Sequence, residues 1–333
     1  MKNYILTLLL TFSLSYANIS GVAYFQYEDS FALSRTYFTY KTDISDELSF
    51  KFQTDVGKID DVNTQTTGFC SDGTSEDQET CEAITNICDG DSACFWTYAQ
   101  DVDVDNDDRW MGFLKKAQLD WRVNPNMKIS MGMIGMNMLN VQEKTWGNRF
   151  LYKSAMDKYG FSATADLGFA ISRKDGNVTS SFMLSNGEGY KESKVDDKNK
   201  ISVQVVLGPT TLKNNDDYNF GLVYSKVEDE KVTGFFSGWV REKIIAGFEY
   251  NTKDNGATTD DLTSIYANYD ISDELTAFIR KDSYDENTDA IGGETDVKML
   301  GVIWTPTKGL DICPNMINSD DDDVFKMNFQ FKF

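Results

Sequence analysis

The chain has 333 residues, with 53 Asp and Glu against 32 Lys and Arg, and a formal net charge of −21. This charge argues against a nucleic acid partner, because proteins bind phosphate backbones with basic residues. The chain contains no histidine, which excludes haem attachment through C-x-x-C-H and any mechanism with a histidine base. We therefore expect a protein that is not an enzyme.

The first 17 residues have the organisation of an export signal. Lys2 precedes an apolar run over residues 5–14, and Ser15-Tyr16-Ala17 has the small-x-small pattern of a cleavage site. We predict a signal peptide over residues 1–17, Sec-type export, and a mature chain over residues 18–333. An uncleaved anchor is the alternative, although the apolar run is short for a membrane span.

Alternation of apolar and polar residues dominates the rest of the chain. In "DELSFKFQTDV" (46–56), Leu48, Phe50 and Phe52 alternate with polar residues. This period of two places alternate side chains on opposite faces of a sheet. We predict sixteen strands, with fourteen or eighteen as alternatives, at residues 19–27, 32–42, 47–56, 109–122, 127–136, 160–173, 178–186, 199–208, 217–227, 232–241, 243–252, 261–271, 274–283, 295–304, 308–313 and 323–333.

The connections between these strands alternate between short turns and longer polar loops. Short turns include residues 124–127 and 174–177, and longer loops include 137–158 and 187–198. Alternating loop length, with one apolar and one polar face on each strand, is typical of a transmembrane β-barrel. We predict an all-β, antiparallel barrel. A soluble β-sandwich is the alternative, but the outer faces of its strands would be polar.

Residues 57–108 form a long acidic segment between predicted strands three and four, with fourteen carboxylates and one lysine. We expect an extracellular loop. In an exported chain the four cysteines of this segment predict two disulfides, with three pairings open and a metal or cluster site as the alternative. These cysteines are Cys70, Cys81, Cys88 and Cys94.

The end of this segment, "DVDVDNDD" (101–108), spaces its acids as calcium-binding loops do. It lacks the glycine at position six, and position twelve is Gly112 rather than Glu. We therefore predict no tightly held cofactor, and at most loosely bound calcium or magnesium. The candidate ligands are Asp101, Asp103, Asp105 and Asp107.

The last strand ends in "FKMNFQFKF" (325–333), in which Phe329, Phe331 and Phe333 lie on one face. This aromatic terminus resembles the C-terminal signal by which bacterial outer-membrane proteins are recognised for barrel insertion. The resemblance implies that the barrel-assembly machinery is a partner. It also implies location in the outer membrane of a Gram-negative bacterium.

The predicted mature chain as a whole resembles the Gram-negative porins, which are sixteen-stranded and usually trimeric. This resemblance implies a homotrimer in contact with outer-membrane lipid and lipopolysaccharide. It also implies passive diffusion of ions and small hydrophilic solutes. "SNGEGY" (185–190) is similar to a loop in relatives of the phosphate-selective porin group, and a glycine-rich hairpin without a binding role is the alternative.

In such porins the loop after strand five folds into the lumen and narrows the pore. Here residues 137–158 occupy that place, with four cations and two carboxylates. We predict that this loop favours anions at the constriction; a solvated outer loop is the alternative. The candidate pore-lining residues are Lys144, Arg149, Lys153 and Lys158 in the loop, and Arg35, Lys51, Lys116 and Arg122 on strands two to four.

Two other functions remain open from the sequence. One is a surface-exposed interaction protein or adhesin, in which the disulfide-stapled segment 57–108 acts and the barrel is an anchor. The other is a fatty-acid or hydrocarbon transporter. Stable conductance steps in a planar bilayer would favour the porin, and persistent silence would favour the adhesin.

Overall fold

The computed structural model describes residues 17–58, 68–70, 81, 87–88, 92–94, 96–98, 110–194, 196–288, 293–319 and 323–333. The chain divides into two compact units, one formed by residues 57–111 and the other by the remaining residues. Residues 1–16 of the predicted signal peptide lie outside the described residues, as does the predicted calcium site at 101–107.

The larger unit contains a closed barrel of sixteen strands within the described residues, in which each strand pairs with its sequence neighbours and the last pairs with the first. This confirms the predicted fold class. The strands are β1 (Asn18–Tyr27), β2 (Phe31–Asp43), β3 (Leu48–Lys58), β4 (Trp110–Asn124), β5 (Met127–Gly135), β6 (Ala165–Asp175), β7 (Val178–Ser185), β8 (Lys200–Leu207), β9 (Tyr218–Val227), β10 (Glu230–Arg241), β11 (Ile244–Asp254), β12 (Thr259–Asp270), β13 (Leu275–Asp285), β14 (Glu294–Thr307), β15 (Leu310–Ser319) and β16 (Asp323–Lys332).

Strand β15 differs most from its predicted range, because it continues through Pro314 to Ser319 rather than ending at Cys313. Pairing between β14 and β15 passes from Gly301–Asn315 directly to Trp304–Ile312. Proline has no N–H to donate, and it is tolerated where a sheet ladder is interrupted. A proline in the sequence therefore did not mark the end of this strand.

Connection lengths alternate less strictly than predicted. We call the end of the barrel at which β1 leads into β2 the loop end, and the opposite end the turn end. The loop end carries the long segments 136–164 and 186–199, but also the two-residue connection 228–229. The turn end carries one longer connection, residues 208–217.

The two faces of the strands differ in burial. On β9, Phe220 and Leu222 are exposed on the outward face, whereas Asn219, Val223 and Ser225 are buried on the inward face. An exposed apolar outer face is compatible with lipid. Lipid cannot hydrogen-bond the backbone, and closure of the barrel pairs the backbone groups of every strand within the protein. Among the described residues, no helix is both long and apolar enough to cross a membrane.

The chain termini of the described barrel meet at the seam between β1 and β16. The Phe333 amide donates to the Gly21 carbonyl at 3.1 Å, and the Gly21 amide donates to the Phe333 carbonyl at 2.9 Å. The Phe331 ring packs edge-on against the Phe25 ring, with centroids 5.3 Å apart. Two of the predicted assembly-signal aromatics, Phe329 and Phe331, therefore belong to the strand that closes the barrel, and Phe333 directly follows it.

The smaller unit, residues 57–111, contains two short strand pairings among its described residues. Gly68–Cys70 pairs with Trp96–Tyr98, and Ile87–Cys88 pairs with Ser92–Ala93. Cys81 and Cys94 are buried and disulfide-bonded. Which cysteines are joined stays a prediction. Cys313, on β15 of the barrel, is a free and buried thiol.

Candidate functional site

The segment between β5 and β6, residues 136–164, is the main structure inside the barrel, and we call it the inserted loop. It contains the helices α1 (Asn140–Trp146) and α2 (Ala155–Lys158). Helix α1 ends at Gly147, whose φ of 72° places it in the left-handed region. Glycine is the residue that adopts this conformation at least cost, which explains why the helix stops there.

The inserted loop begins by contacting inward side chains of β7 and β8. The Asn137 Nδ2 atom donates to the Ser181 hydroxyl at 2.8 Å, and the Ser202 hydroxyl donates to Asn137 Oδ1 at 2.7 Å. Both serines lie on the same face as the buried inward residues of their strands. The loop therefore enters the space enclosed by the strands.

Further along, the inserted loop contacts the opposite part of the wall. The Tyr266 hydroxyl on β12 donates to the Gln142 carbonyl at 3.1 Å. On β16, the Asn328 amide donates to the Phe150 carbonyl at 3.3 Å. These contacts join inward residues of four strands to one loop, so residues 137–158 lie against the inside of the barrel.

Apolar packing adds to these hydrogen bonds. The buried Trp146 ring lies edge-on to the rings of Tyr266 and Phe278, with centroids 5.2 and 5.9 Å apart. Full burial of a large apolar side chain contributes about 1.5–3 kcal/mol.

The inward face of the strands is predicted to be polar throughout. This prediction is wrong for β7–β15, because the inserted loop covers apolar wall residues there. Those covered residues include Met183, Val206, Val223, Phe236, Leu262, Phe278, Val297, Met299 and Ile303.

Arg149 is not a free cation at the pore. Its Nη1 atom lies 2.6 Å from Glu143 Oε2 and 2.6 Å from Asp157 Oδ2, with only 12% of the side chain exposed. Burial lowers the pKa of Arg149, but the opposing effect of Tyr37 and the two carboxylates is larger. The net pKa of Arg149 therefore lies well above its usual range. The guanidinium stays charged, and its field is offset by the two acids.

The other three loop cations predicted at the constriction occupy different positions. Lys144 in α1 and Lys158 in α2 are exposed, and Lys153 is half-buried between the helices. The Lys158 ammonium lies 5.5 Å from the centre of the Tyr152 ring. The structure therefore leaves Lys144 and Lys158 exposed and Lys153 half-buried, whereas Arg149 is paired with two acids.

A cluster of cations lies on the inward face of β2–β4, and we call it the basic wall. It consists of Arg35, Lys41, Lys51, Lys115 and Lys116. Lys41 and Lys51 are direct cross-strand neighbours, and the charge of Lys116 interacts with those of Lys51 and Lys115. Like charges placed opposite each other in a sheet are destabilising. Among the described residues, Lys51, Lys115 and Lys116 have no carboxylate within 4.0 Å.

Three cations on β2, β4 and β5 have partners. Arg35 Nε lies 3.2 Å from Asp55 Oδ1. Lys128 lies 3.3 Å from Asp120. Arg122 donates to the Asp46 carbonyl at 3.2 Å, in the turn between β2 and β3. Arg122, predicted to line the pore, therefore lies at the turn end and is separate from the basic wall.

Strict alternation does not predict Lys115 in the basic wall. It places Lys116 on the inward face, and therefore places the adjacent Lys115 on the outward face. Only 6% of Lys115 is exposed, and its ammonium donates to the Tyr37 hydroxyl at 3.4 Å. It also lies 4.7 Å from the Tyr37 ring centre and 5.3 Å from that of Tyr190. The adjacent lysines "KK" at 115–116 could have indicated this. Strict alternation would place one of the two charges on the apolar outward face, so an irregularity in the strand is expected there.

The segment that contains "SNGEGY" (185–190) reaches the same wall from the loop end. The Tyr190 hydroxyl donates to Asp55 on β3. Burial, followed by the negative charge of Asp55, raises the pKa of Tyr190, so the hydroxyl keeps its proton. A pocket of about 220 Å³ lies between this segment and the inserted loop. Its lining includes Arg35, Lys153, Asp157, Thr164, Glu188 and Tyr190.

Gly189 allows this segment to lie against the inserted loop. Its φ is 91°, and a Cβ added there would lie 2.8 Å from the Cβ of Ala163. The segment is therefore a second structure packed inside the loop end of the barrel, rather than an open hairpin.

Several solved structures are similar to this chain over 95% of its length. A porin structure refined at 1.8 Å gives a TM-score of 0.53 at 13% identity and is covered completely. Salmonella typhi OmpF in complex with daunomycin gives 0.60 at 10% identity with 97% covered, and Vibrio cholerae OmpT in its trimer form gives 0.58 at 8% identity with 99% covered. No protein-family model and no curated protein matches the chain. At these identities the likeness concerns the fold, which is that of a porin.

Proposed function

We propose that this protein, which has a porin fold, is a passive diffusion channel for ions and small hydrophilic solutes in a Gram-negative outer membrane. The observation that carries the proposal is the inserted loop inside a closed sixteen-stranded barrel. Barrels of this strand number leave an aqueous channel. The inserted loop covers the apolar part of the wall, and the basic wall on β2–β4 remains as the opposite, polar side.

We further propose that the channel prefers anions and that the basic wall contributes more to this preference than the inserted loop does. Lys51, Lys115 and Lys116 lie close together without a carboxylate partner among the described residues, whereas Arg149 is offset by two acids. Rings of basic side chains are a recurrent device for anion selectivity. Lys144 on α1 adds one exposed cation to the loop side.

The assembly and the location are parts of the same proposal. Vibrio cholerae OmpT, similar in fold, is described as a trimer, which supports a homotrimer here. The alternating aromatics of β16 and the export signal support insertion into the outer membrane by the barrel-assembly machinery. Outer-membrane lipid and lipopolysaccharide would then surround the exposed apolar face. Loose calcium or magnesium binding at Asp101–Asp107 stays a prediction.

A planar bilayer recording tests the channel function. Purified protein in a bilayer should produce stable, stepwise current, and a salt gradient should give a reversal potential of the sign expected for an anion-preferring pore. If repeated additions of folded protein to the bilayer produce no current steps, the proposed channel is refuted. Steps with a cation-preferring reversal potential would refute only the selectivity.

A second function is favoured by one observation, the separate compact unit formed by residues 57–111 with disulfide-bonded Cys81 and Cys94. A stapled acidic unit suits a surface-exposed interaction protein or adhesin. Deleting residues 59–108 should leave conductance intact if the channel is the function. Loss of attachment to host or partner cells in that deletion, with conductance unchanged, would show that the unit has its own role.

A further inference from the structure

We infer that Arg280 is a positioning residue that fixes the inserted loop and thereby sets the width of the pore; the inference rests on the proposed channel function. Arg280 lies on the inward face of β13 with 1% of its side chain exposed. Its Nε and Nη2 atoms donate to the two carboxylate oxygens of Asp282 at 2.8 and 2.7 Å. The Ser264 hydroxyl donates to the same carboxylate at 2.6 Å. The wall thus holds the guanidinium in one orientation.

The remaining edge and the faces of the guanidinium contact the inserted loop. Nη1 donates to the Lys153 carbonyl at 2.9 Å. The guanidinium carbon lies 4.8 Å from the centre of the Trp146 ring and 5.3 Å from that of the Tyr152 ring. The Trp146 indole N–H also donates to the Tyr152 carbonyl at 2.9 Å. One side chain therefore joins the wall to the end of α1 and to the segment that precedes α2.

These contacts use properties that only arginine has. A guanidinium forms hydrogen bonds from a planar fork and stacks on aromatic rings, whereas a lysine ammonium is a compact point charge. A buried ion pair such as Arg280–Asp282 is also weak evidence for stability, because apolar residues of similar volume are often as good or better. The arrangement is therefore better explained by positioning of the loop than by stability of the wall.

The position of the loop matters because the proposed channel runs between the loop and the basic wall. Without the Lys153 hydrogen bond and the stacking, residues 146–153 would lose their polar contact with β13 and would keep hydrogen bonds to Asn268 on β12 and Asn328 on β16. We expect this segment to move, so that the open current fluctuates and larger solutes pass. The sign of the ion selectivity should not change, because Arg280 lies behind the loop.

Arg280→Lys tests the inference while it keeps a cation beside Asp282. Lys281→Gln is the matched control, since Lys281 is the next residue on β13 but points outward to Asp296. In liposome-swelling assays with sugars of increasing size, the Arg280→Lys protein should admit sugars that the wild type and the control exclude. Its single-channel noise should rise severalfold, with the reversal potential unchanged. Equal size limits and equal noise in all three proteins would overturn the inference.

A second readout does not depend on conduction. Trypsin should cleave the detergent-solubilised Arg280→Lys protein after Lys153 or Lys158 severalfold faster than it cleaves the control, at equal thermal stability. Faster cleavage in a protein that never conducts would support the positioning role and refute the channel. Should Arg280→Lys fail to assemble, the double variant Arg280→Met with Asp282→Asn removes both charges of the pair. A normal size limit and normal cleavage in that variant would equally overturn the inference.

Discussion

Replacing Arg149 with glutamine should disturb the inserted loop as well as its charge. Glu143 Oε2 and Asp157 Oδ2 lie 2.6 Å from the same nitrogen of Arg149, so they are at most about twice that distance apart. Two like charges about 5 Å apart repel by about 3 kcal/mol at an effective dielectric constant of about 20. A typical hydrogen bond contributes about 1 kcal/mol. The repulsion is therefore large enough to displace the loop around these two acids.

The assay compares Arg149→Gln with Lys144→Gln, which removes the same positive charge from an exposed position on the same loop. Both variants should lower the anion preference in a salt-gradient reversal potential. Only Arg149→Gln should also increase single-channel noise and lower the melting temperature, because only it leaves two carboxylates facing each other. If the two variants match in noise and in melting temperature, the paired geometry around Arg149 has no structural role and the reasoning fails.

Three further changes test other parts of the structure. The double variant Lys51→Gln with Lys116→Gln should move the reversal potential toward cations by more than Lys144→Gln does, and an unchanged potential would mean that ions do not pass the basic wall. Deleting Phe333 should reduce the fraction of chains that show the heat-modifiable gel migration of a folded barrel; undiminished migration would contradict a role in assembly. Gly132→Ala should lower the melting temperature, because Gly132 has a φ of 98° and an added Cβ would lie 2.2 Å from a backbone oxygen of β4. Gly112→Ala, whose added Cβ would meet its nearest atom only at 4.0 Å, is the control and should melt like the wild type.

Alternation along the chain was sufficient to predict the barrel. Each predicted strand corresponds to one observed strand, because residues facing lipid and residues facing the lumen must alternate in any closed sheet of this kind. The pattern weakened where another rule acted. Residues 160–164 have strand-like character but belong to the inserted loop, and Pro314 lies inside β15 at a break in its pairing with β14.

The candidate site was only partly predictable, for a different reason. Sequence position identified the inserted loop, but it gave no information about which charges neutralise each other. Arg149 meets Glu143 and Asp157 only because the loop folds back between its two helices. Likewise Arg280 was indistinguishable from other strand cations, since its contacts with Trp146 and Lys153 depend on packing between residues more than 120 positions apart.

The pairing of β1 with β16 has a consequence for biogenesis. Gln26 lies opposite Asn328, so this contact joins residues about 300 positions apart and closes last in any sequential pathway. Until it forms, two unpaired edges remain available to other chains, which is a hazard for aggregation. A chain whose final strand has not yet paired would therefore need protection by a holding chaperone, and truncation anywhere upstream would leave an open sheet rather than a smaller barrel.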